Sequence, residues 1–251
     1  MLPNAWDVAS AVAIAAAGAK AIATTSAGVA WSLGVPDGAE LGAERLAAVV
    51  ARIVAGVDVP VSADIEAGYG NVAATVEAVI RAGAVGINVE DSSAGVLLDP
   101  AEQANRLAAS RAAATDAADG AGVWINARTD VFLVGSGNLS EALERSTAYA
   151  AAGADSLFVP GLTDPARIAE LAAGPLPIAV MAGPGAPPVA DLSAAGVVRI
   201  SLGSAIGQAA YGLAARIATE LLTTGTYEST AGGVDYATMN HALARTAGVW
   251  R

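Results

Sequence analysis

Short apolar runs recur along the chain, each opened by a glycine joint and closed by polar residues or glycine. The joints are Gly18-Ala19, Gly56-Val57, Gly83-Ala84, Gly120-Ala121-Gly122, Gly153-Ala154, Gly174-Pro175 and Gly196-Val197. Glycine is favoured just past a helix because it accepts the left-handed conformation there. The runs that follow, residues 21–26, 59–66, 85–91, 123–130, 156–161, 177–183 and 197–203, are short and almost continuously apolar. That pattern predicts parallel strands buried on both faces. Alanine-rich segments between them, residues 43–55, 72–82, 100–118, 140–152 and 165–173, read as helices. Asp99-Pro100 and Asp164-Pro165 carry the signature of an N-cap followed by proline at the first helical position.

With a short first strand at Leu2-Pro3-Asn4, the chain holds eight βα units in 251 residues. This content predicts a (β/α)8 TIM barrel spanning residues 1–251 as one domain. Periodicity alone does not separate a barrel from a doubly wound open sheet. The absence of a Gly-x-Gly-x-x-Gly after the first strand favours the barrel. Residues 234–250, with Tyr236, Met239 and Trp250, predict an extra C-terminal helix packed on its own barrel or on a neighbouring subunit.

Composition then removes whole classes of chemistry. Acidic side chains outnumber basic ones by 24 to 13, for a net charge of −11, which argues against a nucleic-acid partner. Hydrophobic residues make up 54% and charged residues 15%, a core-rich globular composition. The longest uncharged stretch, between Glu170 and Asp191, is broken by five prolines, and no basic region opens a leader at the N-terminus. The expectation is a soluble, cytoplasmic protein without a membrane partner. With no cysteine, disulfides, thiolate nucleophiles and sulfur-ligated metals are excluded. One histidine, His241, and one lysine, Lys20 at the start of a strand, leave carboxylates, arginines, hydroxyls and backbone groups to do the work.

In (β/α)8 barrels function gathers where the strands end. Three neighbouring runs end in Asp64-Ile65-Glu66-Ala67-Gly68-Tyr69-Gly70, Asn88-Val89-Glu90-Asp91 and Asn126-Ala127-Arg128-Thr129-Asp130. Any one of these acids serves equally well as a helix cap. Five carboxylates at one mouth, however, repel one another unless a cation compensates them. An oxygen-only set suits a hard ion, Mg²⁺ or Mn²⁺. Strand alternation puts Asp64 and Glu66 on one face. Arg128 is read either as a fork for a substrate carboxylate or as a structural partner of Asp130 or Asp91. Thr24-Thr25-Ser26-Ala27-Gly28 reads as a turn whose hydroxyls and amides receive an anionic oxygen, or as ordinary turn chemistry.

Taken in order, Leu2-Pro3-Asn4-Ala5-Trp6-Asp7, Thr24 to Gly28, Ser32-Leu33-Gly34-Val35-Pro36-Asp37-Gly38, Asp64 to Gly70, Glu90-Asp91, Asn126 to Asp130 and Phe158-Val159-Pro160-Gly161 resemble the isocitrate lyase/phosphoenolpyruvate mutase superfamily. The resemblance runs from the first residues to about Gly203. It implies a modified barrel, a homo-oligomer (dimer or tetramer) with exchanged C-terminal helices, bound Mg²⁺, and a 2-oxo or 2-hydroxy carboxylate substrate. By position it makes Asp64 the direct metal ligand, with Asp37, Glu66 and Glu90 holding the metal's waters. Thr25, Ser26 and Ala27 become the carboxylate cradle, with Asp64 beside it, and Arg128 the substrate-binding arginine. The implied reaction is a carbon–carbon lyase step through a metal-stabilised pyruvate enolate.

Two features depart from the family pattern. Lyases of the family carry Lys-Xaa-Cys-Gly-His after the Glu-Asp pair, whereas Glu90-Asp91 here leads into Ser92-Ser93-Ala94-Gly95-Val96-Leu97-Leu98. The family's first helix and longer first strand are also shortened, as a truncated start would leave them. Decarboxylation makes least demand on the missing loop acid, with Tyr69 or Ser92 as candidate assistants. A phosphoenolpyruvate or phosphonopyruvate mutase or hydrolase is the alternative enzyme, for which Arg128 and Arg199 are the cations near the mouth. A non-catalytic barrel that binds a 2-oxo acid is the alternative outside catalysis.

Overall fold

The structure, a computed structural model, describes residues 1–39 and 41–244. The first half runs β1 (Asn4–Ala5), α1 (Val8–Ala16), β2 (Ile22–Thr24), α2 (Ser26–Ser32), α3 (Ala43–Gly56), β3 (Val61–Asp64), α4 (Val72–Arg81) and β4 (Gly86–Glu90). There follow β5 (Ser92–Ser93), β6 (Val96–Leu97), α5 (Pro100–Ala117), β7 (Trp124–Arg128), α6 (Leu139–Ala151), β8 (Ser156–Phe158) and α7 (Pro165–Ala172). The rest comprises β9 (Ile178–Met181), α8 (Val189–Ala194), β10 (Val197–Ser201), α9 (Ala205–Thr224), a 3₁₀ turn at Glu228–Thr230 and α10 (Tyr236–Ala244).

Eight strands pair in parallel in the order β1-β2-β3-β4-β7-β8-β9-β10. Each neighbour in space is the next barrel strand in sequence, with none of the order reversal that a doubly wound sheet requires. The open-sheet alternative is therefore excluded. The seam between the last and first strands is drawn together by Leu2 N–H, which donates to the Ile200 carbonyl at 2.8 Å. The Asn4 amide spans it as well, accepting from Leu202 N–H at 2.9 Å and donating to the Thr24 carbonyl at 3.2 Å. A strand of two residues thus closes a barrel because its side chain supplies bonds that its backbone is too short to make.

Helix starts follow the capping chemistry of the sequence. Asp99 accepts from Ala101 N–H and Asp164 from Ala166 N–H, both at 2.9 Å, each with proline at the first turn. The apolar stripe of α3 buries Leu46, Val50 and Ile53, and that of α4 buries Val76 and Val79 against the sheet. Each such side chain contributes about 1.5–3 kcal/mol of burial.

One local expectation is corrected, and two further segments take definite form. Residues 24–28 do not form a turn: Thr25 is the N-cap of α2 and Ser26 to Gly28 are its first turn. The segment after Glu90-Asp91 is an antiparallel hairpin pairing Ser92 with Leu97 and Ser93 with Val96. Its corner residues, Ala94 and Gly95, both have positive φ (50° and 76°), the geometry that closes a two-residue hairpin. The tail helix covers Tyr236–Ala244 and leans on α1; residues 245–251, Trp250 included, lie outside the described residues. No helix among the described residues is long and apolar enough to cross a membrane.

Candidate active site

At the end of β3 the chain changes direction within six residues. Asp64 is the last strand residue and is 8% exposed. Beyond it Glu66, Gly68, Tyr69 and Gly70 all take positive φ (49°, 78°, 46° and 81°). Glu66 and Tyr69 carry side chains into a region that costs a non-glycine residue about 1–3 kcal/mol, so the surrounding contacts must impose it. They do so from several sides. Glu66 N–H donates to Asp64 Oδ1 at 3.2 Å, and Tyr69 Oη–H donates to Glu66 Oε1 at 2.5 Å. Arg106, reaching up from α5, donates to the Ala67 and Glu90 carbonyls. This turn, rather than strand alternation alone, brings the Glu66 and Asp64 charges together.

β4 and β7 deliver the next pair in register, Glu90 opposite Arg128. The Arg128 guanidinium lies 2.8 Å from Glu90 Oε2, 2.6 Å from Asp130 Oδ1 and 3.1 Å from Asp130 Oδ2. Asp130 also accepts from Ser92 Oγ–H at 2.5 Å. Asp91 does not join the mouth. It is 0% exposed, accepts from Asp130 N–H (2.8 Å), Tyr149 Oη–H (2.7 Å) and Arg145 (3.1 Å), and so anchors the end of β7 from behind. Five acids at one mouth was therefore one too many.

These strand ends surround a cavity of about 160 Å³. Thr25, Ser26, Ala27, Asp37, Asp64, Asn88 and Arg128 are among the residues that line it. Ser26 and Ala27 belong to the first turn of α2, whose N–H groups have no intrahelical acceptor and so suit an anionic oxygen. At about 30 Å³ per water the cavity has room for roughly five waters, a volume matched by a ligand of a few heavy atoms. Glu66, Glu90 and Tyr69 are not among the residues that line the cavity.

The site carries an excess of negative charge. Burial raises Asp64, an effect that Arg128 opposes and Asp37 and Asp130 reinforce. Burial likewise raises Glu66, against the Tyr69 hydrogen bond, and pushes Glu90 up to about 8 despite its contact with Arg128. Burial works against the Arg128 charge, but Glu90, Asp130 and Asp64 outweigh it and hold the guanidinium firmly protonated. For Tyr69, burial and then Glu66 drive the phenol far above its usual range, so it does not serve as a base near neutral pH. Among the described residues no three acidic side chains converge closely enough to ligate an ion directly. Asp64 and Asp37 are the carboxylates that line the cavity, so these two could hold an ion there, and Mg²⁺ commonly reaches further acids through water.

Residues 1–222 match the family described as phosphoenolpyruvate phosphomutase. The chain belongs to this family. Through it the chain falls in the isocitrate lyase/phosphoenolpyruvate mutase superfamily, whose members are lyases and mutases. An uncharacterized protein of Mycobacterium tuberculosis is 41% identical over 210 residues, covering 81% of this chain and 77% of that one. The 2-methylisocitrate lyase of Escherichia coli is 35% identical over 173 residues, 62% of this chain, which spans only 55% of that enzyme's length. Among solved structures, a putative phosphonomutase from Burkholderia cenocepacia superposes with a TM-score of 0.83 at 44% identity, covering 87% of this chain and 92% of that one.

Sequence reasoning named Asn4, Asn88 and Asn126 only as members of motifs and Arg199 only as a cation near the mouth, and missed the hydrogen bonds that they make inside the barrel. The signal was available: each is a polar residue inside an apolar strand that is buried on both faces, where an unpartnered amide or cation is costly.

Proposed function

We propose that the chain is a Mg²⁺- or Mn²⁺-dependent carbon–carbon lyase acting on a small 2-oxo or 2-hydroxy carboxylate. One observation carries the reading: Asp64, Arg128 and the first residues of α2, Ser26 and Ala27, line the same small cavity. The donor set fits the ion, since Asp64 is a buried carboxylate outside every ion pair formed among the described residues and Asp37 and Thr25 add oxygens to the same cavity. In this reading Asp64 holds the metal, and Asp37, Glu66 and Glu90 hold its waters. When bound, the ion supplies Lewis-acid polarisation of the substrate's oxygens.

The chain's own groups do the rest. Thr25 Oγ and the Ser26 and Ala27 amides seat the substrate carboxylate. Arg128, held in one orientation by Glu90 and Asp130, forks onto an oxygen that gains negative charge as the bond at C3 breaks. Tyr69 positions Glu66 through its hydrogen bond. Decarboxylation suits a site whose loop after Asp91 is a serine-bearing hairpin, because CO₂ departs without a proton donor and water protonates the carbon afterwards. Arg145 and Tyr149 support Arg128 at one remove, through Asp91 and the Asp130 amide. A homo-oligomer belongs to the proposal, with a neighbouring copy as the partner for α9, most of which is exposed, with Leu221 and Leu222 on its surface.

The test is to incubate the protein with Mg²⁺ and, in turn, oxaloacetate, methylisocitrate and phosphonopyruvate, and to measure pyruvate. Pyruvate from either of the first two supports the lyase. Phosphate or phosphonate turnover instead supports the mutase or hydrolase reading, which the 44% identity to a putative phosphonomutase favours. Tight oxalate binding without any turnover identifies a non-catalytic binder.

A further inference from the structure

We infer that Asn88 turns its side-chain NH₂ into the cavity and donates to an oxygen of the bound ligand, in an orientation dictated by a one-way chain of hydrogen bonds through the barrel interior. The inference rests on the proposed carboxylate site and adds to it a residue that fixes where the ligand's acceptor atom lies.

The chain begins at Trp124, whose indole N–H can only donate. It donates to Ser156 Oγ at 2.8 Å. Ser156, having accepted that hydrogen bond, turns its own O–H to Asn126 Oδ1 at 2.5 Å. Asn126 must then point Nδ2 at its neighbour, and it donates to Asn88 Oδ1 at 2.8 Å. Arg199, reaching inward from β10, ends the network from the other side with a second donor-only group: its Nη2 donates to the same Asn88 oxygen at 3.0 Å. Neither terminus can reverse its polarity. The amide orientations of Asn126 and Asn88 therefore follow from the chemistry of Trp124 and Arg199.

Asn88 is 5% exposed, lines the cavity and sits in register with Asp64 on the neighbouring strand. Its oxygen is filled by two donors, while its NH₂ has no acceptor among the described residues. Asn88 lines the cavity and its NH₂ is not among the buried polar atoms sealed off without a partner, so it is open to an acceptor held there. Any group with a free lone pair serves there, water or a carboxylate, keto or enolate oxygen of a ligand that displaces the water. The same orientation turns Oδ1 away and bars Asn88 from ligating a cation. Asp64 and Asn88, side by side, thus divide the work: one holds positive charge and the other receives an oxygen. Arg199 is a positioning residue in this arrangement, acting on the ligand through the Asn88 amide.

The test titrates oxalate into the Mg²⁺-loaded wild type and Asn88→Ala by calorimetry, with Mg²⁺ alone titrated separately. Asn88→Ala is expected to weaken oxalate about 10- to 100-fold while Mg²⁺ affinity stays within about threefold. Oxalate affinity within threefold of wild type, or an equal loss of Mg²⁺ affinity, overturns the inference. Should Asn88→Ala fail to fold, the ¹⁵N side-chain amide signals of Asn88 in the wild type decide the matter: they move on saturation with oxalate if the NH₂ donates, and stay fixed if the inference is wrong. Arg199→Met is expected to weaken oxalate by about 3- to 10-fold, with Arg199→Lys restoring part of the loss. A wild type that binds no oxalate overturns the carboxylate reading itself, an outcome distinct from a binding wild type whose affinity is indifferent to Asn88.

Discussion

Arg128 and Asp130, two residues apart at the end of β7, are bound twice over: Nε to Oδ1 at 2.6 Å and Nη2 to Oδ2 at 3.1 Å. The pair leaves Nη1 to Glu90 at 2.8 Å, so the guanidinium plane is fixed before any ligand arrives. Asp130→Asn should remove the charge that anchors this plane. Breaking a buried ion pair on one side costs about 3–5 kcal/mol, which denaturant melts would detect. Oxalate affinity should drop about tenfold through loss of orientation. Unchanged stability would mean that the pair is not load-sharing in solution.

Removing the proposed metal ligand separates the site from the scaffold. Asp64→Ala is expected to abolish Mg²⁺-dependent oxalate binding and Arg128→Ala to weaken it at least about 100-fold. Glu102→Gln, on the exposed first turn of α5, should stay within about 0.5 kcal/mol of wild-type stability and bind normally. Calorimetry on the three variants is the check, and wild-type affinity in the first two refutes the site.

The buried acids give stability a definite pH slope. Asp64, Glu66 and Glu90 hold their protons above the normal carboxylate range because burial disfavours their charged forms, Glu90 up to about 8. Between the unfolded value near 4.5 and that point the folded chain binds more protons than the unfolded one, so stability falls as pH rises across the window. A divalent cation favours the ionised carboxylates and opposes the fall. The Mg²⁺-induced rise in Tm should therefore be larger at about pH 8 than at about pH 5. Equal shifts in thermal melts at the two pH values would contradict this.

Gly28, in the first turn of α2, has no room for a side chain. A Cβ there would lie 2.7 Å from Thr25 Cγ2 and 2.8 Å from Trp6 Cβ. Gly28→Ala is expected to cost about 1–3 kcal/mol by overpacking and to displace Thr25, weakening oxalate in calorimetry beyond what the stability loss alone explains.

Tyr69→Phe distinguishes a positioning hydroxyl from a proton donor. The hydroxyl is engaged with Glu66, so its removal should lower Mg²⁺ affinity a few-fold and leave turnover of the identified substrate within about tenfold. A loss beyond a thousandfold with intact Mg²⁺ binding would return Tyr69 to the role of acid.

Much of the fold was legible in the order of residues. Glycine joints and doubly buried strands appear in sequence because helix ends and parallel sheets impose local requirements, and the Asp-Pro caps at 99–100 and 164–165 lie where those requirements put them. The acids at strand ends, Arg128 and residues 25–27 were also visible, because strand ends are where a barrel gathers its chemistry. What the sequence could not decide was direction. Asp91 and Glu90 are adjacent, yet one faces Arg145 and Tyr149 behind the strand and the other faces Arg128. Glu66 meets Asp64 through a left-handed turn that local propensity opposes. Asn88 acquires its orientation from Trp124 and Arg199, 36 and 111 positions away. Local order fixes which elements form; hydrogen-bond polarity and charge are settled only when distant strands close into one ring, because each donor needs an acceptor that the chain supplies from elsewhere.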